Sequence, residues 1–342
     1  MRAGKEHADD QGSAEPYPGL SEEAKRADLA GFCLAAGAGS RLAPLTGTVP
    51  KPLLAPAGRA LVDLAIDALE GAGAAATVVN AHHHAGALAA HLAGRPGCQV
   101  LVEPELLGTG GGLAQARRLG LLDADLVLLT CADVVVGPAD LGRLAALVRA
   151  GAPAAVGLVP APAGTPLSFT LTGGRVRPGQ GGRWAGAGVY ALAGEAIDRI
   201  GPGRSSLVAA LLEPLWLAGA LAGLPLEGAW ADAGTREGFL AASEGLLAGR
   251  WPFAPAPGQA RAGERPVLVV DGALVDPRAT LTGPVLVDRG AVVEAGAAVE
   301  RSVLGPGARV GPGAAVQGSV LGPGAVLAPG ARVRDALVAA VR

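Results

Sequence analysis

Residues 33–54 read CLAAGAGSRLAPLTGTVPKPLL. They overlap an apolar run, LAGFCLAA, with the length of a buried strand, so the glycines fall where strand gives way to loop. Glycine there lets backbone N–H groups approach an anion with no Cβ in the way. The triplet Gly37-Ala38-Gly39 carries little weight by itself. With 54 Gly in 342 residues, a Gly-x-Gly arises by chance on the order of eight times. Its company matters more: Arg41 follows two residues on, and Lys51 sits in VPKPLL. A guanidinium fork and an ammonium point charge in one loop suit a polyphosphate that gains charge during transfer. The dinucleotide fingerprint would need a third Gly, and a P-loop would need Gly-Lys-Ser/Thr. Neither is present.

Outward from this loop, apolar runs alternate with helical stretches to about residue 160. RALVDLAIDALEGAG, HAGALAAHLAG, GGLAQARRLG and PADLGRLAALVRAG read as helices; AATVVN, CQVLVE and ADLVLLTCADVVV read as strands. The alternation implies an α/β fold, a Rossmann-like, mostly parallel sheet with helices on both faces. Ligands bind outside the carboxyl ends of such strands, where Gly37, Glu103 and Asp133 all fall. Residues 154–249 read as mixed, with the strand WAGAGVYAL, a helix around SSLVAALLEPLWLAGAL, a strand ending in GAWADAG and the helix TREGFLAASEGLLAG.

The expected organisation is a flexible lead-in (1–28), one α/β domain (29–249), a Pro-rich linker (250–266) and a second domain (267–342). In the last, apolar residues recur at Val275, Leu281, Leu286, Val292, Ala298, Leu304, Val310, Val316, Leu321, Leu327 and Val333, with GPGA at 305, 311 and 322. Steps of six, with two of five, predict a hexapeptide, left-handed β-helix.

Half the residues are apolar and the formal charge is −2, so no basic field supports nucleic-acid binding. No run is long enough to span a bilayer, and the polar first 28 residues carry no signal-peptide h-region. Three widely spaced cysteines without a C-x-x-C pair predict reduced thiols and a cytoplasmic protein.

Gly-x-Gly-Ser-Arg-Leu-x-Pro-Leu-Thr followed by Pro-Lys-Pro-Leu resembles the signature of the sugar-1-phosphate nucleotidyltransferases. VVNAHHHAGALAAHL is similar to that family's second strand and helix. EPELLGTGGGLAQA resembles its base-recognition loop, as in the mannose-1-phosphate guanylyltransferases and muramate-1-phosphate uridylyltransferases. VLLTCADVV resembles the strand whose terminal Asp holds the metal, and WADAGTREGFLAA the Trp-x-Asp-x-Gly-Thr motif. The likeness covers about residues 29–249, and a β-helix extension is found in several branches.

The resemblance implies formation of an NDP-sugar and pyrophosphate from an NTP and a sugar 1-phosphate. Ala36, Gly37, Ala38, Gly39 and Ser40 would surround the triphosphate, with Arg41 polarising it. Lys51 would meet charge building on the α-phosphate or the sugar phosphate. Asp133 and Asp232 would hold Mg²⁺, which takes few carboxylates and fills its shell with phosphate oxygens and water. Gly108, Thr109 and Gly110 would face the base, Asn80 and Glu103 would join the nucleotide pocket, and Trp184 and Gly186 would lie on the sugar side. The protein then supplies positioning and electrostatics rather than covalent chemistry. GTP with mannose 1-phosphate is the expected pair; uridylyl or thymidylyl transfer to another sugar 1-phosphate is the alternative. Ser168 departs from the Asp that muramate-type relatives place before the Phe corresponding to Phe169, and the Glu-Lys-Pro of many relatives is missing.

Simpler roles stand beside these. Asp133 and Asp232 could cap the helices after them, and Arg41 and Lys51 could be solvated loop residues. The His run at 82–84 sends consecutive side chains in different directions, which argues against a metal site. Acyl transfer by the β-helix would need a His general base, and all five His lie at or before His91. A non-catalytic nucleotide-binding regulator would be expected to lack one of Arg41, Lys51, Asp133 or Asp232. A cytidylyltransferase acting on another alcohol phosphate is a further alternative. The β-helix is expected to serve oligomer contacts or effector sensing in a homo-oligomer.

Overall fold

The structure, a computed structural model, describes residues 27–342 apart from 163, 166, 180, 262–264 and 342. The lead-in expected at the N-terminus lies, up to residue 26, outside the described residues.

The α/β part runs β1 (Ala27–Leu34), α1 (Leu61–Gly71), β2 (Thr77–Ala81), α2 (Ala85–Leu92), β3 (Cys98–Val102), α3 (Gly108–Arg118), β4 (Ala124–Cys131), β5 (Val134–Val136) and α4 (Pro138–Arg149). It continues with β6 (Ala154–Pro160), β7 (Phe169–Thr172), β8 (Arg175–Pro178), β9 (Trp184–Ala193), α5 (Gly194–Ile197), α6 (Glu213–Leu217), β10 (Ala222–Pro225), β11 (Trp230–Asp232) and α7 (Arg236–Leu247). Strands β3, β2, β1 and β4 lie side by side in parallel. Each return crosses through a helix, as parallel neighbours require. Side chains alternate across the pleat. Phe32, Val78 and Val127 enter the core that holds Leu113 of α3, whereas Cys33, Val79 and Leu128 enter the one that holds Leu64 and Leu141 of α1 and α4.

The other half corrects the expectation of a mostly parallel sheet. The full order is β3-β2-β1-β4-β9-β6-β10-β8-β7, with β9 antiparallel to both β4 and β6. Among the described residues no helix intervenes between β6 and β9. Without a crossover the chain must reverse direction, so the sheet is parallel on one side and mixed on the other.

The Pro-rich segment expected as a linker is packed where it is described. Trp251 and Phe253 are buried, Trp251 Nε1 donates to Ala229 O, and Ala256 N donates to Ala57 O. Gly258–Arg261 then pairs antiparallel with Val267–Val270. Two aromatic side chains supply apolar area that a solvated linker would leave exposed.

Beyond it the strands stack in parallel coils. Val275, Val293, Val310 and Leu327 form one column. Leu281, Val299, Val316 and Val333 form a second, and Val287, Leu304, Leu321 and Val338 a third. The expected series is therefore one residue out of phase at Leu286, Val292 and Ala298. Val287, Val293 and Val299 point inward instead, while Ala298 is exposed and Leu286 joins the core shared with Phe239 and Leu246 of α7. A one-residue slip flips every side chain to the other face. The true inward series is aliphatic throughout, with no small member. Val299→Asp is expected to lower unfolding stability by about 3 kcal/mol or more, since it buries an unpaired carboxylate. Ala298→Asp, one residue away, should stay within about 0.5 kcal/mol; denaturant titration of both variants checks the phase.

Leu268, Leu286, Val303 and Val320 bring the coil domain into the same core as α1, α4 and α7. No helix among the described residues is long and apolar enough to cross a membrane.

Candidate active site

The chain leaves β1 over the carboxyl edge of the parallel strands. Ala36 is buried, while Gly37, Ala38 and Ser40 are exposed along the crest. Gly39 takes the left-handed region at φ 66, and a Cβ there would come within 2.9 Å of Lys51 Cβ and 3.0 Å of Thr46 Cγ2. Only glycine fits. Thr46 Oγ1 donates to Gly39 O (3.1 Å). Leu42 and Leu45 are buried and peg the loop to the core. Three short 3-10 turns, Ser40–Leu42, Leu45–Gly47 and Lys51–Leu53, carry Arg41 and Lys51 to the same side.

Two carboxylates meet them. Asp133 occupies the turn between β4 and β5, and β5 pairs antiparallel with β11 so that Asp232 faces Val134. Ala233 N donates to Asp133 O (2.8 Å), and Trp230 Nε1 ties the ribbon to β9 through Ala187 O. Two residues far apart in sequence thus become neighbours. Lys51 Nζ donates to Asp133 Oδ2 at 2.6 Å, with the two side chains only 16% and 12% exposed. Arg41 lies 3.9 Å from Asp133 Oδ2 and 3.8 Å from Asp232 Oδ2.

Gly234, which sequence reading left aside within WADAG, completes the crevice. Its N–H donates to Asp232 Oδ1 (2.7 Å). A Cβ on it would lie 2.5 Å from Arg41 Nη2, 2.7 Å from Asp232 Oδ1 and 2.8 Å from Asp133 Oδ2. Both carboxylates and the guanidinium therefore border one small space that a side chain would fill. Capping does not explain the aspartates: α7 is capped by Thr235, whose Oγ1 accepts from Gly238 N, and α4 starts after Gly137 with no side-chain cap.

The donor set fits Mg²⁺. Two hard carboxylates converge from facing strands, leaving further positions to phosphate oxygens and water. Among the described residues no group of three or more His, Cys, Asp or Glu side chains could hold a metal. His82 Nδ1 instead lies 2.8 Å from Glu103 O.

The segment expected to face the base opens a helix. Gly108, Thr109 and Gly110 form the first turn of α3 rather than a loop. Gly110 N and Gly111 N donate to Ser205 O, Ser205 N donates to Leu107 O, and Leu207 N donates to Thr109 Oγ1 (2.9 Å). These groups are engaged by residues 205–207, a contact that no sequence motif announces. Asn80 and Glu103, expected in the nucleotide pocket, are 2% and 1% exposed and hydrogen-bond to each other beneath the loops. Trp184 and Gly186 open β9, which runs antiparallel to β4, so they lie beyond that strand's carboxyl end. Arg183 stacks over the Trp184 ring at 5.4 Å.

Cys131 lies two residues before Asp133, yet burial pushes its thiol up to about 12, and burial likewise raises Cys98 to about 11. Thiolate is the reactive form. Iodoacetamide at pH 8 is therefore expected to leave activity unchanged, and mass spectrometry should find Cys131 unmodified.

A model of the family described as "Nucleotidyl transferase" matches residues 30–171, and one described as "GlmU-like, C-terminal hexapeptide" matches residues 275–341. The mannose-1-phosphate guanylyltransferase of Mycobacterium tuberculosis is 32% identical over 291 residues, covering 79% of this chain and 78% of that protein. The N-acetylmuramate alpha-1-phosphate uridylyltransferase of Neisseria meningitidis serogroup B is 33% identical over 219 residues, 59% of this chain and 91% of its own. That of Caulobacter vibrioides is 40% identical over 93 residues, 25% and 38% respectively. The chain belongs to the sugar-1-phosphate nucleotidyltransferase family. It joins a nucleotidyltransferase domain to a hexapeptide-repeat region.

Proposed function

We propose that this enzyme transfers guanylyl from GTP to mannose 1-phosphate, releasing pyrophosphate. The observation that carries the transfer reading is the convergence of Arg41, Lys51, Asp133 and Asp232 on one crevice beyond the carboxyl ends of β1 and β4. The choice of guanine and mannose rests on the M. tuberculosis relative, matched over most of both chains. Ser168 supports it: it is buried, donates to Gly179 O and accepts from Gly182 N. It therefore brings no carboxylate to the sugar side.

In this reading a sugar-phosphate oxygen attacks the α-phosphorus and the bond to pyrophosphate breaks in line. The loop at 36–41 holds the triphosphate through backbone N–H groups and the Arg41 guanidinium. Lys51 stabilises charge on the equatorial oxygens as the transition state forms. Asp133 and Asp232 would hold Mg²⁺, which neutralises phosphate charge and orients the leaving group. We further read the coil as left-handed, the sense its hexapeptide repeat implies. We assign it a homo-oligomer contact on the face bearing exposed Leu274 and Val326, 65% and 62% accessible; light scattering of the full chain at the mass of one chain would overturn that assignment.

A pyrophosphate-release panel crossing each NTP and dTTP with common sugar 1-phosphates and Mg²⁺ tests the substrate assignment. The highest kcat/KM is expected for GTP with mannose 1-phosphate. A higher value for UTP or dTTP with another sugar would replace the assignment, and silence with every pair would overturn it.

A further inference from the structure

Three hydrogen bonds form an unbroken chain beneath the carboxyl edge of β1, β2 and β3. Ala35 N, at the root of the phosphate loop, donates to Asn80 Oδ1 (2.8 Å). Asn80 Nδ2 donates to Glu103 Oε1 (2.7 Å). Leu107 N, just before the first turn of α3, donates to Glu103 Oε2 (2.9 Å). Gly112 closes the roof, because a Cβ there would run into Glu103 Oε1 and Asn80 Nδ2. Both side chains are almost wholly buried and their inward polar atoms are committed to protein partners.

The direction of the chain is forced. A backbone N–H can only donate, so Asn80 must turn its oxygen to Ala35 and its amide to Glu103. Glu103 then meets donors alone and acts as acceptor through both oxygens. One rigid link thus joins the segment that carries Gly37–Arg41 to the segment that carries Gly108–Gly110.

We propose that Asn80 and Glu103 are positioning residues: a relay that fixes the phosphate loop and the α3 turn relative to each other, rather than contacts to the nucleotide. The consequence for catalysis rests on the nucleotidyl-transfer reading of that site. A base seated at one end and a triphosphate at the other would be held at a set separation, so NTP binding depends on the relay while sugar-phosphate binding does not.

The donor–acceptor order supplies the test. Glu103→Gln sets an amide N–H₂ against either Leu107 N–H or the Asn80 amide. Asn80→Asp sets two carboxylates against each other. The double variant Asn80→Asp/Glu103→Gln reverses the order and restores all three bonds. The carboxylate at position 80 accepts from Ala35 N and the new amide, whose oxygen accepts from Leu107 N. Each single variant is expected to raise KM for the NTP about tenfold, the cost of an unsatisfied buried group, while KM for the sugar 1-phosphate stays within about twofold. The double variant should return within about threefold of wild type. Hydrogen exchange at the Ala35 and Leu107 amides should quicken in both singles and slow again in the double.

Singles that match wild type, both KM values moving together, or a double no better than the poorer single would each overturn the relay. A single variant that fails to fold must be rescued by the double on the same terms. Should wild type turn over no substrate pair, the transfer reading fails while amide exchange still decides the relay.

Discussion

Lys51→Met is expected to lower kcat/KM for pyrophosphate release roughly 1000-fold, the scale of losing a preorganised charge aimed at the transition state. Its Nζ sits 2.6 Å from Asp133 Oδ2 in a largely enclosed position, beside the Gly39 turn that leaves room for its side chain. The sequence has three lysines, at 5, 25 and 51, and Arg at every other basic position. Among the described residues Lys51 is the one lysine, an ammonium flanked by Pro50 and Pro52 where the other Lys/Arg positions are all Arg. Lys51→Arg should therefore fail too, by about 100-fold, because a planar fork does not replace a compact point charge. Removing one member of a buried ion pair costs about 3–5 kcal/mol when the other is stranded. Arg41 at 3.9 Å from the same oxygen limits that cost. Steady-state kinetics beside a thermal scan separates the two effects. A loss under tenfold in a folded Lys51→Met would remove Lys51 from the mechanism.

Gly234→Ala is the second expected large effect, about 100-fold or more in kcat/KM, since displaced catalytic groups lose their orientation. The added methyl meets the far ends of Arg41, Asp232 and Asp133, not backbone. Those side chains can swing aside, so the fold should survive while the crevice closes. The expected signature is an unchanged unfolding midpoint, lost turnover and weakened Mg²⁺ dependence. Turnover near wild type would mean that the space between the carboxylates is not used.

Much of this was legible along the chain. Strand β1, the helix at Leu61–Gly71 and the helix at Arg236–Leu247 follow from apolar period and from Gly and Thr at the ends. Arg41 and Lys51 announce themselves as cations in a Gly-rich turn, and Asp133 as an acid at a strand end. Other features were not. In the coil, Leu286 and Val287 are both aliphatic, as are Val292 and Val293, so composition could not choose the inward member of each pair. Parallel stacking did, through Val287↔Leu304 and Val293↔Val310.

The same division runs through the site. Asn80 and Glu103 have the residue types of nucleotide contacts; in the fold their side chains accept from Ala35 N and Leu107 N, backbone groups that need acceptors. Asp133 and Asp232 become neighbours because β5 and β11 pair, and β9 enters in reverse because no helix among the described residues separates it from β6. Local chemistry set the kinds of element, the loop that bears the cations and the family they resemble, since each depends on residues close together in the chain. Partnership between distant residues depends on which surfaces bury one another and which polar groups are satisfied, and folding alone resolves that. The loop that bears Arg41 and Lys51 could be read from twenty-two consecutive residues; the crevice it faces could not.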